Sequence, residues 1–509
     1  MELCSNKVEQ ERAIGSLFYN QFVLGPSFVA HLEGWQQITV DDTTKLTVHP
    51  DLSIAQVGNK EKSLTLVGFM LDPYNPADGD VDILRSLLGN YSSRNELISA
   101  TAALGGRWVL IAANGEEKFL FTDALGLRQV FYTNPCDTNG VWAMSQPKLG
   151  ADLLELSVDD AAHAFMNSHV FRADSEYKWI GTATLYREIK HLFPNHYLNL
   201  HTGMCHRYWP DRRLEKTDLG EAVEKIAVLL QGLLTAAAAR FDLAIPVTAG
   251  LDSRLILAAS KDIRENVTYM TVRQVRAPDN SADVVVAARL LKKLGLEHHV
   301  IRPAVTTTPE FSKNFKQNVF LAHDHYGPDA EAILNGFLRK KVAVTGSGAE
   351  VGRRYLSSKV FGFMERTPQL LAKFQAMAGN DYAIRHSREW LDEIGNIRDL
   401  NVEVLDLFEW EEGCNWLAMT TLEFDIAWRD IFTPYNCRQI LALMLSVDEK
   451  YREPPNNELF TRLIARLWPE VLCEPINPHQ KKKSALDRFV GKTKYLVKHL
   501  IHRVHGAAS

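Results

Sequence analysis

Hydrophobic residues follow two different rhythms along this chain. From Gly68 to about Leu200 they come in short runs, such as Trp108-Val-Leu-Ile-Ala112, Phe119-Leu-Phe121 and Val130-Phe-Tyr132, separated by Asn-Gly, Gly-Leu and Asn-Pro turn signals. That punctuation predicts a β-rich domain. After a polar, charged stretch from Arg207 to Asp218 the pattern changes. Leu243-Ala-Ile-Pro-Val247 predicts a buried strand, Leu255 to Lys261 a helix, Val267 to Val272 a strand, Ala282 to Leu294 a helix, and Val342 to Thr345 another strand. Strands alternating with helices imply right-handed parallel crossovers, so the second half is expected to form an open α/β sheet. The expected architecture is therefore α+β followed by α/β, with units at 1–208 and 209–485. A third segment, 486–509, carries a helical stripe of Leu486, Val490, Val497, Leu500, Ile501 and Val504 beside Arg488, Lys492, Lys494, Lys498 and Arg503. Such a basic amphipathic helix suits docking on its own domain or peripheral contact of 486–504 with an anionic membrane surface.

Composition narrows the function classes. With 509 residues the chain exceeds one core, and a net charge of -5 gives no global attraction to nucleic acid. The six cysteines form no C-x-x-C pair, which excludes a zinc pattern and a disulfide framework and fits a reducing compartment. Neither a signal-peptide arrangement nor an apolar run of roughly 18 residues is present. The expected location is cytoplasmic, with any membrane contact peripheral, at the inner surface.

Chemistry concentrates in Ile245-Pro-Val-Thr-Ala-Gly-Leu-Asp-Ser-Arg-Leu-Ile256, where a buried strand runs through a small-residue turn into a helix. Such a turn aims backbone N–H groups and a helix N-terminus at one point and favours an anion. Thr248 and Ser253 add hydroxyls, Gly250 permits close approach, and Asp252 offers a carboxylate for Mg²⁺. The spacing and lysine of a Walker A loop are absent. The stretch resembles the S-G-G-x-D-S pyrophosphate loop of the asparagine synthetase and β-lactam synthetase family, with Thr248 keeping the hydroxyl and Ala249 replacing the first glycine. A second segment, Thr345-Gly-Ser-Gly-Ala-Glu-Val-Gly352, is similar to the family's S-G-x-G-A-D-E-x-x-G-G-Y. The resemblance implies a pyrophosphatase-loop domain binding ATP through Val247, Thr248, Ala249, Gly250, Leu251, Asp252, Ser253, Val272, Gly346, Ser347 and Gly348, with Mg²⁺ on Asp252 and Glu350. It further implies a catalytic acid at Asp430, in Trp428-Arg-Asp-Ile-Phe-Thr-Pro-Tyr-Asn-Cys-Arg438, with Glu423 in reserve. A catalytic lysine is implied at Lys481 or Lys483, within Glu474 to Lys483. His298-His299 and His323-Asp-His325 lack further ligands at metal spacing, and Arg353-Arg354 suits either a substrate anion or plain surface charge.

The first half resembles the family's N-terminal-nucleophile glutaminase domain, an Ntn-hydrolase-like β-sandwich, through Leu104 to Ala112, Thr122-Asp-Ala-Leu-Gly-Leu-Arg-Gln-Val-Phe-Tyr132 and Leu192 to Leu200. A working glutaminase of that family needs cysteine as residue 2. Here residue 2 is Glu2 and the nearest thiol is Cys4, so a degenerate glutaminase is implied. The implied activity is ATP-dependent, AMP-forming amide synthesis through an acyl-adenylate of a small-molecule, peptide or glycan carboxylate. Ammonia or an amine, not glutamine, serves as nucleophile. Two alternatives are an intramolecular lactam or macrolactam cyclase and an inactive nucleotide-binding scaffold.

Overall fold

The computed structural model describes residues 17–115, 117–275, 277–356 and 365–478. Glu2, Cys4, Lys481, Lys483 and the 486–504 segment lie outside them.

The first half contains β1 (Phe22–Gly25), β2 (Gln36–Asp41), β3 (Thr44–Val48), β4 (Ile54–Gly58), β5 (Ser63–Leu71), β6 (Gly105–Ala113), β7 (Lys118–Thr122), β8 (Phe131–Thr133), β9 (Ala143–Met144), β10 (Ile189–His191), β11 (His196–Asn199) and β12 (Cys205–Arg207). They form two antiparallel sheets, ordered β10-β8-β9-β1-β3-β2 and β12-β11-β7-β6-β5-β4. The period of two assigns each side chain a layer. On β6, Val109 and Ile111 face inward and join Phe22, Leu24, Leu46 and Val48 of the opposite sheet. Trp108, Leu110 and Ala112 face outward, where Ile83 and Leu84 of helix Asp80–Asn90 and Leu97 of helix Arg94–Ala100 cover them. Helices Pro147–Leu154 and Asp160–Met166 cover the other sheet through Leu149 and Ala162. The result is four layers, helix on sheet on sheet on helix. Strands begin at Phe22, well before the sequence signal at Gly68, because the early ones are short.

The second half is built on β13 (Leu243–Pro246), β14 (Val267–Val272), β15 (His299–Ile301), β16 (Val342–Val344) and β17 (Asp430–Phe432), all parallel and ordered β15-β14-β13-β16-β17. Every second-half strand read from the apolar runs is present, and helix Ala282–Lys293 matches its expected span. The helix expected from Leu255 starts earlier, at Leu251, because the turn itself supplies its first residues. From β13 the chain steps outward to β14 and β15, then returns to the far side of β13 for β16 and β17. The strand order therefore reverses between β13 and β16, and in open α/β sheets ligands bind at such a switch point, beyond the carboxyl ends of the strands.

Helix Leu219–Arg240 is, among the described residues, the one helix long and apolar enough to cross a membrane by length and composition. Its apolar residues instead pack on β13, on helices Leu251–Ala259 and Glu458–Leu467, and on Phe69 and Leu71 of β5. The polar stretch read as a linker is fastened to the second half: Leu214 N–H donates to Leu400 C=O, Thr217 N–H to Ser446 C=O, and Trp209 lies against Trp410.

Candidate functional site

β13 ends at Pro246, but Val247 N–H still donates to Met270 C=O of β14 at 2.7 Å, so the turn leaves the sheet at a fixed point. Within it, Thr248 N–H donates to Ser253 Oγ (3.2 Å), Gly250 N–H to Thr248 Oγ1 (3.0 Å), and Ala249 N–H to the Asp283 carboxylate (3.0 Å). The Thr248 and Ser253 hydroxyls lie 2.8 Å apart. These hydroxyls therefore brace the turn rather than project from it. Gly250 is the N-cap of helix Leu251–Ala259 and brings no side-chain cap. The first-turn amides of Leu251, Asp252 and Ser253 consequently have no intrahelical partner and are the donors left for an anion.

Ala249 is buried and is not among the residues with positive φ, and Gly250 has φ −73° and ψ 158°. The backbone at Ala249 is therefore unstrained by its methyl group. Glycine matters more in the opposite loop, after β16. A Cβ at Gly346 would stand 3.0 Å from Asp252 C and Ser253 N, so the two strand-end loops meet backbone to backbone. Gly348 has φ +91°, and a Cβ there would meet Leu125 of the first half. Ser347 is half-buried beside it. Val272 ends β14 on the sheet face that carries Met270.

Four charged or phenolic groups converge here. Arg353 Nη2 sits 3.0 Å from Asp252 Oδ2 and 3.5 Å from Glu350 Oε1, while Glu350 Oε2 accepts Gly348 N–H at 2.9 Å. Asp252 Oδ1 is buried with no hydrogen-bond partner, and so is the Tyr435 hydroxyl. Burial, reinforced by Glu350, raises the Asp252 carboxyl to about 7 against the pull of Arg353. Burial also raises the Tyr435 phenol, with Asp252 adding to the effect. Glu409, on the π-helical turn Glu409–Gly413, is pushed up to about 7 by burial and then by Glu350. Single π-turns often mark functional sites.

The geometry partly fits a divalent cation. Asp252 Oδ1 is an open carboxylate donor, whereas Glu350 is held by Arg353 and Gly348, and no cluster of three metal-ligating side chains exists among the described residues. A magnesium ion arriving on phosphates, which bring most of its oxygen ligands, needs no more from the protein than one or two carboxylates.

Asp430 stands apart from the turn. It opens β17, level with Val342 at the start of β16, and so lies at the opposite end of the sheet from the turn. Its carboxylate is buried and paired with Arg107 (3.0 Å) and Arg128 (2.8 Å), and Arg107 also holds Asp425 at 2.5 and 2.9 Å. Burial works against its charge, but Arg128 and Arg107 outweigh it and hold the carboxyl below its ordinary range. This is a brace between the two halves. The reserve candidate Glu423 is likewise committed, to His323 Nδ1 at 2.6 Å. The residue of that segment that reaches the site is Tyr435, five positions on.

Arg353 was legible as a candidate anion contact, whereas Arg354 is bound to Glu449 and Glu453 away from the turn. The tail approaches from the other side: Arg254 donates to the carbonyls of Val471, Glu474 and Pro475, and Asn477 N–H donates to Ala249 C=O at 3.0 Å.

No family model and no curated protein matches the chain. Among solved structures, the glutamine phosphoribosylpyrophosphate amidotransferase from B. subtilis complexed with ADP and GMP aligns over 66% of this chain and 70% of its own, at 10% identity and a TM-score of 0.20. At that score the match does not establish a shared fold, and the architecture rests on the sheets themselves.

Proposed function

We propose that this protein binds ATP and Mg²⁺ at the switch point between β13 and β16 and uses ATP to convert a carboxylate into an acyl-adenylate, which an amine or ammonia then turns into an amide. One observation carries the reading: two strand-end loops meet through Gly346, at backbone distance from Asp252 and Ser253, around a buried Asp252 oxygen with no partner. The amides of Leu251, Asp252 and Ser253 would hold phosphate, Arg353 supplies positive charge beside them, and Asp252 Oδ1 would hold the metal. When bound, Mg²⁺ neutralises the phosphate oxygens. The substrate carboxylate oxygen attacks the α-phosphorus and pyrophosphate leaves. The amine nitrogen then attacks the acyl carbon, loses a proton, and AMP leaves.

Lys481 or Lys483 is the proposed electrophilic lysine. Asn477, anchored on Ala249, is four residues from Lys481, a span of at most about 14 Å of extended chain. Asp430 has no part in this scheme. The four-layered first half supports an Ntn-hydrolase-like reading. Assaying pyrophosphate release with ATP, Mg²⁺ and a panel of carboxylates tests the proposal. The parent should turn over and Asp252→Asn should not, with glutamine unable to replace the amine. Equal turnover by both proteins would remove Asp252 from the mechanism.

A second reading, a nucleotide-binding scaffold without turnover, draws on Arg353, which spans Asp252 and Glu350 where a cation would otherwise stand. Nucleotide binding by the parent with no pyrophosphate release on any carboxylate would favour it.

A further inference from the structure

Between the two halves lies a narrow, open-mouthed cleft whose enclosed space is about 70 Å³, room for a small ring rather than a large ligand. Its wall is aromatic and aliphatic: Tyr177, Trp179 and Phe131 from the first half face Phe320, Trp416 and Met419 from the second. Cores fill such space with side chains, whereas a cleft of this lining at an interface between units is the usual form of a ligand site. One cation stands on the wall. Lys178 places its ammonium 6.0 Å from the Trp416 ring centroid, while the one carboxylate on the described wall, Glu176, is engaged by the Tyr326 hydroxyl at 3.1 Å and by His325 at 3.7 Å rather than by Lys178.

One contact links the cleft's wall to the neighbourhood of the proposed nucleotide site. Gly181 on its wall donates its N–H to both oxygens of Glu412, at 2.9 and 3.1 Å, on the same π-helical turn as Glu409. Glu409 in turn feels the charges of Lys178 on one side and of Glu350 and Arg353 on the other. The turn Glu409–Gly413 does not itself line the cleft, but it touches the cleft-lining Gly181 through Glu412 and lies within electrostatic reach of Glu350 and Arg353.

We infer that the cleft binds the carboxylate substrate, an amphipathic acid whose aromatic or branched apolar group is buried against Trp416 and Met419 while its carboxylate pairs with Lys178. An ammonium beside an apolar aromatic wall complements that chemistry. A sugar acid or a short dicarboxylate would leave the apolar wall unmatched, and a neutral hydrocarbon would leave Lys178 unused. The inference deepens the proposed function and rests on it for the word substrate, but the binding itself does not require adenylation.

Calorimetric titration of the full-length protein with phenylacetate, acetate and phenylethanol, without nucleotide, tests it. Phenylacetate should bind saturably and at least about tenfold more tightly than acetate, reflecting burial of the ring. Lys178→Met should weaken phenylacetate about tenfold and leave phenylethanol unchanged, as loss of one charge contact does. Met419→Trp should fill the cleft and abolish both. Trp416→Ala, which removes volume instead of adding it, should weaken both and guards against misfolding of the crowded variant. Phenylacetate binding no tighter than acetate, or unaltered in both Met419→Trp and Trp416→Ala, would overturn the inference. Asp252→Asn should bind phenylacetate like the parent. Tight phenylacetate binding with no phenylacetate-dependent exchange of pyrophosphate into ATP would uphold the cleft and count against adenylation, so the two can fail separately.

Discussion

Two clusters of acids and arginines occupy opposite ends of the parallel sheet, and they differ in what is left unpaired. At the amino ends of the strands, Arg107 and Arg128 meet Asp425 and Asp430 in a buried network in which both carboxylates are ion-paired and the atom left without a partner is a donor, Arg128 Nε. At the carboxyl ends, Asp252, Glu350 and Arg353 form a looser set that leaves Asp252 Oδ1 and the Tyr435 hydroxyl buried without partners. Paired carboxylates hold two surfaces together and have no free oxygen to offer a cation. Unsatisfied buried polarity costs stability unless a ligand completes it, so the second cluster is where binding energy is to be gained.

The largest effect should come from breaking the paired cluster. Removing one partner of a buried ion pair strands the other, at about 3–5 kcal/mol. Arg107→Ala should therefore lower the urea midpoint sharply and loosen the two halves. Asp430→Asn, which keeps the shape, should cost less, and its folded fraction should release pyrophosphate at the parental rate. A selective loss of turnover with an unchanged urea midpoint would return Asp430 to the catalytic set and erase the contrast between the clusters.

The second effect has the opposite sign. The Asp252 carboxyl is raised from 3.8 to about 7 on folding, so between those values the folded state keeps a proton that the unfolded chain releases. Stability from this group is then greatest at low pH and falls as pH rises, by up to about 1.4 kcal/mol per pH unit. Asp252→Asn should flatten that part of the profile and be more stable than the parent at about pH 8, where the cost of the charge is fully present. Urea midpoints at about pH 5 and about pH 8 measure it, against a background from Glu409 and Glu412, raised to about 7 and about 8 by burial. A parent and variant with parallel profiles would mean that Asp252 is not held near neutrality.

What was legible from the sequence follows the same division. The turn from Val247 to Ser253 could be read because its chemistry is local, a strand, small residues, an acid and a helix in one dozen residues. Gly346 and Gly348 were legible for the same reason. The brace was not, since Arg107 and Asp425 stand 318 positions apart and nothing near either announces the other. The position of Asp430 was hidden for this reason: its segment does approach the turn, but through Tyr435, and a three-residue strand separates its ends. The cleft was also hidden, because its aromatic walls come from four separate stretches of chain that singly look like core.

A third effect, smaller again, isolates the approach of the two loops. Gly346→Ala places a methyl group 3.0 Å from the backbone of Asp252 and Ser253, so the loops must part by a few tenths of an ångström. Because that displaces the amides proposed to hold phosphate, nucleotide affinity should fall about tenfold, worth about 1.4 kcal/mol. The urea midpoint should change little. Unchanged ATP affinity would place the phosphates away from this junction.

The smallest effect is expected at the substitution that looks most consequential in the sequence. Ala249 stands where the similar family motif has glycine, and a glycine there suggests either a left-handed backbone or a crowded phosphate. Neither condition holds for the backbone: Ala249 is not among the positive-φ residues, its N–H is fixed by Asp283, and its C=O is fixed by Asn477. Its methyl group is buried, so it packs rather than strains. Ala249→Gly should then relieve nothing. It should lose a little packing and add freedom to the unfolded chain, together a destabilisation of about 0.5–1 kcal/mol, with ATP affinity altered by less than about threefold. A marked gain in affinity or turnover on restoring glycine would show the methyl group to be obstructing the phosphate path, and would move the chain toward the scaffold reading, in which the turn keeps its shape after losing its chemistry.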